Sequence, residues 1–66
     1  MDKDEIQELL TKKEFRVFNY LLEGKTNREI AELMVVTQHT VKAHVSAVLK
    51  KLKVKRRVEL ILKFKN

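Results

Sequence analysis

The 66-residue chain has no cysteine, no proline and one glycine, Gly24. Without cysteine, no disulfide can staple a small fold and no thiolate can hold a metal. With no proline and almost no glycine, the usual helix breakers are missing. Aromatic residues are limited to three Phe and one Tyr, so no platform for stacking single-stranded bases is evident. No apolar run approaches the roughly 20 residues needed to span a bilayer. The acidic N-terminus also differs from the basic start of a secretory signal, so no membrane contact and a cytoplasmic location are expected. There is no glycine-rich phosphate loop and no Ser/His/Asp or Cys/His arrangement, and the chain is read as a non-enzyme without a cofactor. A chain this short buries only about 60% of its unfolded surface, so a second copy or a bound partner is an expected further source of stability.

Charge is present and unevenly placed. Residues 1–10 carry four acids against Lys3 and sum to −3, residues 11–36 sum to +1, and residues 37–66 carry nine bases against Glu59 and sum to +8, giving +6 in all. Basic charge confined to one half points to a polyanion facing that half; a solvated lysine-rich surface is the plainer alternative.

Alternating strand patterns are absent and helix formers dominate, so the fold class is all-α. Residues 1–9, with Ile6 and Leu9 among charges, read as an acidic arm or a short frayed helix. Residues 10–66 read as the domain proper. Thr11 and Glu14 have capping-box spacing, with Leu10 and Phe15 placed for a hydrophobic staple. Val17, Phe18, Leu21 and Leu22 form an apolar stripe, and Gly24 stands where the chain must leave the helix with positive φ. Thr26 and Glu29 repeat the capping box and start a second helix to about Met34. The β-branched Val35 and Val36 disfavour its continuation. Thr37 caps a third helix, expected to run over about 38–53, and a last short helix follows from Val58 to about Phe64. The second and third helices, joined by a tight turn, make a helix-turn-helix.

At 100° per residue, Val41, Val45, Val48, Leu49 and Leu52 share one side of the third helix. The other side carries His39, Ala43, Ser46, Ala47 and Lys50, flanked by Lys42 and His44. Small, polar and basic residues on one face suit a helix that lies in a DNA groove, because short side chains allow close approach and the rest supply donors. His39 and His44 are five residues apart, about 140° around the helix, and do not form a metal pair. His44 is read instead as a phosphate donor or a packing residue. Thr26 and Asn27, like Thr37 and Thr40, lie at helix starts, where free N–H groups can hold a phosphate. Lys50, Lys51, Lys55, Arg56 and Arg57 are candidates to clamp the DNA backbone.

The stretches Leu10-Thr11-Lys12-Lys13-Glu14, Gly24-Lys25-Thr26-Asn27-Arg28-Glu29-Ile30-Ala31, Thr40-Val41-Lys42-Ala43-His44-Val45 and Lys51-Leu52-Lys53-Val54, with Arg57 after them, stand in order between residues 10 and about 62. In them the chain resembles the GerE/LuxR-type helix-turn-helix family, which includes output domains of NarL-like response regulators. The resemblance implies a four-helix domain that binds DNA and controls transcription, often as a dimer through its last helix. It also implies that the third helix enters the major groove, with base contacts at Lys42, Ala43, Ser46 and His39. The chain departs from the family's usual residues at Ser46 (often longer), Lys53 (often glycine), Val58 (often Ser or Thr) and Arg16 (often acidic). Leu60, Ile61, Leu62 and Phe64 are more apolar residues than one stripe of a short helix needs. Leu60, Ile61 and Phe64 are therefore candidates for a homodimer contact, the alternative being that they close the core. The expected partners are double-stranded DNA, a second copy and RNA polymerase. An α-helical protein-interaction module and a nonspecific nucleic-acid binder stand as alternative functions.

Overall fold

The computed structural model describes residues 2–65. Among these it contains five helices and no strand: α1 (Lys3–Leu9), α2 (Lys12–Leu22), α3 (Asn27–Met34), α4 (Gln38–Lys51) and α5 (Arg57–Phe64). The all-α class agrees with the sequence reading, and the helix count rises from four to five. The extra element is α1. Asp2 caps it by accepting the Glu5 N–H at 2.9 Å, and Ile6 is buried against the core together with Leu10 just beyond the helix. One buried apolar residue, Ile6, anchors a helix that is otherwise exposed and mostly charged.

The core forms around α2. Val17, Phe18 and Leu21 are fully buried, and each such side chain contributes roughly 1.5–3 kcal/mol through burial. Phe18 meets Phe15 at 6.1 Å between ring centroids in a stacked arrangement, and meets Phe64 of α5 edge-on at 5.7 Å. α2 packs chiefly on α4, α3 also lies on α4, and α5 closes over α2 and α4. Ala31 on α3 is buried and small, which permits close approach of a neighbouring helix.

Three helices leave by the same hydrogen-bonded turn, in which a left-handed residue lets two N–H groups reach back to the last carbonyls. After α2, Gly24 (φ 80°) donates to the Leu21 carbonyl at 3.0 Å and Lys25 to that of Tyr20 at 3.1 Å. After α3, Val35 (φ 56°) and Val36 donate to the carbonyls of Glu32 and Ala31 at 3.4 and 3.0 Å. After α4, Lys53 (φ 58°) and Val54 donate to those of Lys50 and Leu49 at 3.2 and 3.0 Å. β-branching was the expected reason for the chain to stop after Met34. The turn itself is made by Val35 in a conformation that β-branched residues rarely adopt, while Val36 packs against the core. α4 likewise ends at Lys51 with Leu52 as its cap, short of the expected 53. α5 starts at Arg57, one residue before the expected Val58, and its cap residue Arg56 makes no side-chain cap bond.

Candidate nucleic-acid interface

α4 presents two unlike faces. Val41 and Val48 are fully buried, Val45 and Leu52 nearly so, and Leu49 packs against the core. Gln38, His39, Lys42, Ala43, Ser46 and Lys50 are exposed, and Ala47 and His44 are half-buried. The helix contains no acidic residue. Lys42 and Lys50 take part in no ion pair among the described residues. The surface is therefore low in profile at Ala43 and Ser46 and carries free ammonium groups at its edges. An α-helix about 10–12 Å across fits a major groove about 12 Å wide only when the facing side chains are short or bond to the bases.

The starts of α3 and α4 are capped from within. Thr26 Oγ1 accepts the Glu29 N–H at 3.1 Å, and Glu29 Oε1 accepts the Thr26 N–H at 2.8 Å. That bond is the largest influence on Glu29, whose carboxyl is held below its ordinary value of 4.5. Thr37 Oγ1 accepts the Thr40 N–H at 3.1 Å, and the two hydroxyls lie 3.0 Å apart. Glu14 completes the equivalent box at α2. At α4, Thr40 shares its hydroxyl with Thr37 and no carboxylate closes the box. The start of α4 thus carries no negative charge that would repel a phosphate.

Two basic residues expected on the DNA backbone are tied into the protein. Lys51 Nζ donates to Glu14 Oε1 at 2.7 Å, linking the last turn of α4 to the first turn of α2. Burial raises the pKa of Glu14, but the hydrogen bond and charge of Lys51 together with the bonds to Thr11 outweigh it, and the group lies below 4.5. Arg57 donates through Nη1 to Asn27 Oδ1 at 2.7 Å and through Nη2 to the Lys25 carbonyl at 2.8 Å. It thereby joins the first residue of α5 to the loop and first residue of α3. These geometries engage Lys51 and Arg57 within the protein, and they leave the Asn27 side chain only its amide N–H groups for an outside acceptor. Lys51 lies on the flank of α4 nearest Val48 on a helical wheel, a weak sequence signal that it faces protein. No local signal predicts Arg57, because its partners lie 30 and 32 residues away. Arg56 is exposed and pairs loosely with Glu59 at 3.5 Å, so an exposed cation remains at the start of α5.

The apolar residues of α5 divide. Leu60 is fully buried, so the expectation that it forms part of a dimer contact is withdrawn: a partner cannot reach it. Ile61 and Phe64 are half-buried against the core, Phe64 through its contact with Phe18. The exposed apolar residues of this helix are Val58 and Leu62, 52% and 78% accessible. Four residues apart, they lie on one helix face.

No helix is long and apolar enough to cross a membrane among the described residues. A family model for bacterial regulatory proteins of the luxR family matches residues 8–64. The chain is 43% identical over 58 residues to the glycerol metabolism activator of Pseudomonas putida, covering 88% of this chain and 26% of that protein. It is 44% identical over 52 residues to the transcriptional regulatory protein LiaR of Bacillus subtilis, covering 79% and 25% respectively. Against the spore germination protein GerE of Bacillus subtilis it is 41% identical over 54 residues, covering 82% and 73%. The chain thus spans about a quarter of the length of the first two relatives and most of the third.

Proposed function

The chain belongs to the luxR family of bacterial regulatory proteins, and from that premise we propose that it is a DNA-binding unit of a transcriptional regulator, reading double-stranded DNA with α4 in the major groove. The carrying observation is the division of α4 into a fully packed apolar face and an exposed face of small residues and unpaired lysines. Lys42 donates to base edges, Ala43 lies against them, and Ser46 and His39 extend the reading face along the groove. Thr26, Thr37 and Thr40, the amide N–H groups of Asn27, the half-buried His44, and the exposed Lys50 and Arg56 meet phosphates and set the register. Val58 and Leu62, with the outer edges of Ile61 and Phe64, offer a homodimer contact that would match a two-fold DNA site. A cytoplasmic location and contact with RNA polymerase follow from the same role. The protein acts by binding, without catalysis.

Footprinting against a genomic library, followed by a salt titration on the best site, tests this. A defined footprint is expected, with affinity falling steeply as salt rises because several phosphates release counterions. Lys42→Ala should cost about 1–3 kcal/mol on that site and less on random DNA. Equal losses on both would make Lys42 a phosphate contact, and the absence of any footprint would remove the sequence-specific reading.

A further inference from the structure

Among the described residues, Lys53 is one of two non-glycine residues with positive φ, at 58°, and it stands just beyond the C-terminal end of α4. The left-handed conformation disfavours an L-residue by a factor of about 5–30 in its local equilibrium, and glycine escapes that cost. Gly24 makes the same hydrogen-bonded turn after α2 without a side chain. The turn after α4 therefore needs no lysine for its backbone bonds. The side chain is exposed and takes part in no ion pair among the described residues. Compensation of the α4 dipole gives little reason to keep it, since Lys50 and Lys51 already occupy the last turn and the effect falls off within that turn.

Position supplies the reason. Lys53 lies seven residues beyond Ser46, and its N–H bonds to the Lys50 carbonyl at 3.2 Å, so it stays within a turn of an exposed lysine on the outer face. At 1.5 Å per residue, Lys51 at the end of α4 is roughly 7.5 Å along the axis from Ser46, and Lys53 lies beyond it, while the major groove is about 12 Å wide. With the N-terminal half of α4 between the phosphate walls, its C-terminal end comes out against one wall. We propose that Lys53 is a phosphate-contacting residue, held in a strained turn so that its ammonium group meets the DNA backbone where α4 leaves the groove. This rests on the reading of α4 as the groove helix.

Val35 is the internal control. It has the same strain, φ 56°, at the end of α3, but carries no charge and is 88% exposed. The experiment compares the parent chain, Lys53→Gly, Lys53→Arg and Val35→Gly for thermal unfolding and for binding to a short duplex of random sequence over a range of salt. Both glycine variants should unfold a few degrees higher. Lys53→Gly alone should bind more weakly and lower the slope of log affinity against log salt by about 0.9, the value for one phosphate. Lys53→Arg should keep the parent slope. If Lys53→Gly keeps the parent slope while the parent binds with a steep one, the inference is overturned and the groove reading survives. If the parent shows no salt-dependent binding at all, both fall. If Val35→Gly lowers the slope equally, the effect belongs to relieved strain and the assignment to Lys53 is again overturned.

Discussion

The two capping boxes, Thr11–Glu14 and Thr26–Glu29, have the same spacing and almost the same internal geometry. In each, the threonine hydroxyl accepts an N–H at 3.1 Å and the carboxylate accepts the threonine N–H, at 2.9 Å in one and 2.8 Å in the other. Their surroundings differ. Glu14 is 8% exposed, and the oxygen that closes its box also takes Lys51 from α4. Glu29 stands in solvent and takes part in no ion pair among the described residues. A capping box is a local device, legible in four residues, but its contribution depends on what the fold places against it. At α2 it has become a joint between α2 and α4; at α3 it remains a cap.

Substitutions at the two glutamates would break or sharpen this contrast. The largest effect is expected from Glu14→Gln, which weakens the cap and leaves Lys51 without its counter-charge. A loss of about 1–3 kcal/mol is expected from the cap and a charge-assisted hydrogen bond, read as a lower midpoint in urea or heat. Lysine 51 keeps access to water through a half-exposed side chain, which keeps the loss below that of a fully buried pair. A smaller effect is expected from pH. The folded state holds Glu14 below its ordinary value, so its contribution is fully present above about 4.5 and fades as pH falls through the folded-state value. The stability gap between the parent and Glu14→Gln should therefore close on acidification. A gap that does not close on acidification would mean that the charge of Glu14 is not what α4 uses. The smallest effect is expected from Glu29→Gln, whose exposed carboxylate is replaced in water by an amide that can still accept the Thr26 N–H. Equal losses at both glutamates would erase the distinction between joint and cap.

Legibility in the sequence followed the range of the forces involved. Threonine caps at residues 11, 26 and 37 marked three helix starts because a capping bond spans only three residues. The buried face of α4 followed from a period of 3.6, which places Val41, Val45, Val48 and Leu52 on one side. Gly24 was readable because only one residue type adopts its conformation without cost. The left-handed Val35 and Lys53 were not, since neither side chain favours the conformation and only the closing bonds and packing around the turn hold them there. Charge located the bases in residues 37–66, but could not separate Lys51 and Arg57 from their exposed neighbours. In sequence α1 reads as either arm or helix because its one buried anchor, Ile6, looks like any apolar residue among charges until α2 is beside it.

Taken alone, the order of residues determined the helical class, the helix-turn-helix, and which side of α4 turns away from the core, because each depends on periodicity and on bonds within one turn. Only the packed chain decided which cations are free. Glu14 is 37 residues from Lys51, and Asn27 is 30 from Arg57. Charge attraction acts through space, and nothing in a local stretch of sequence records which distant partner the fold will bring within its reach.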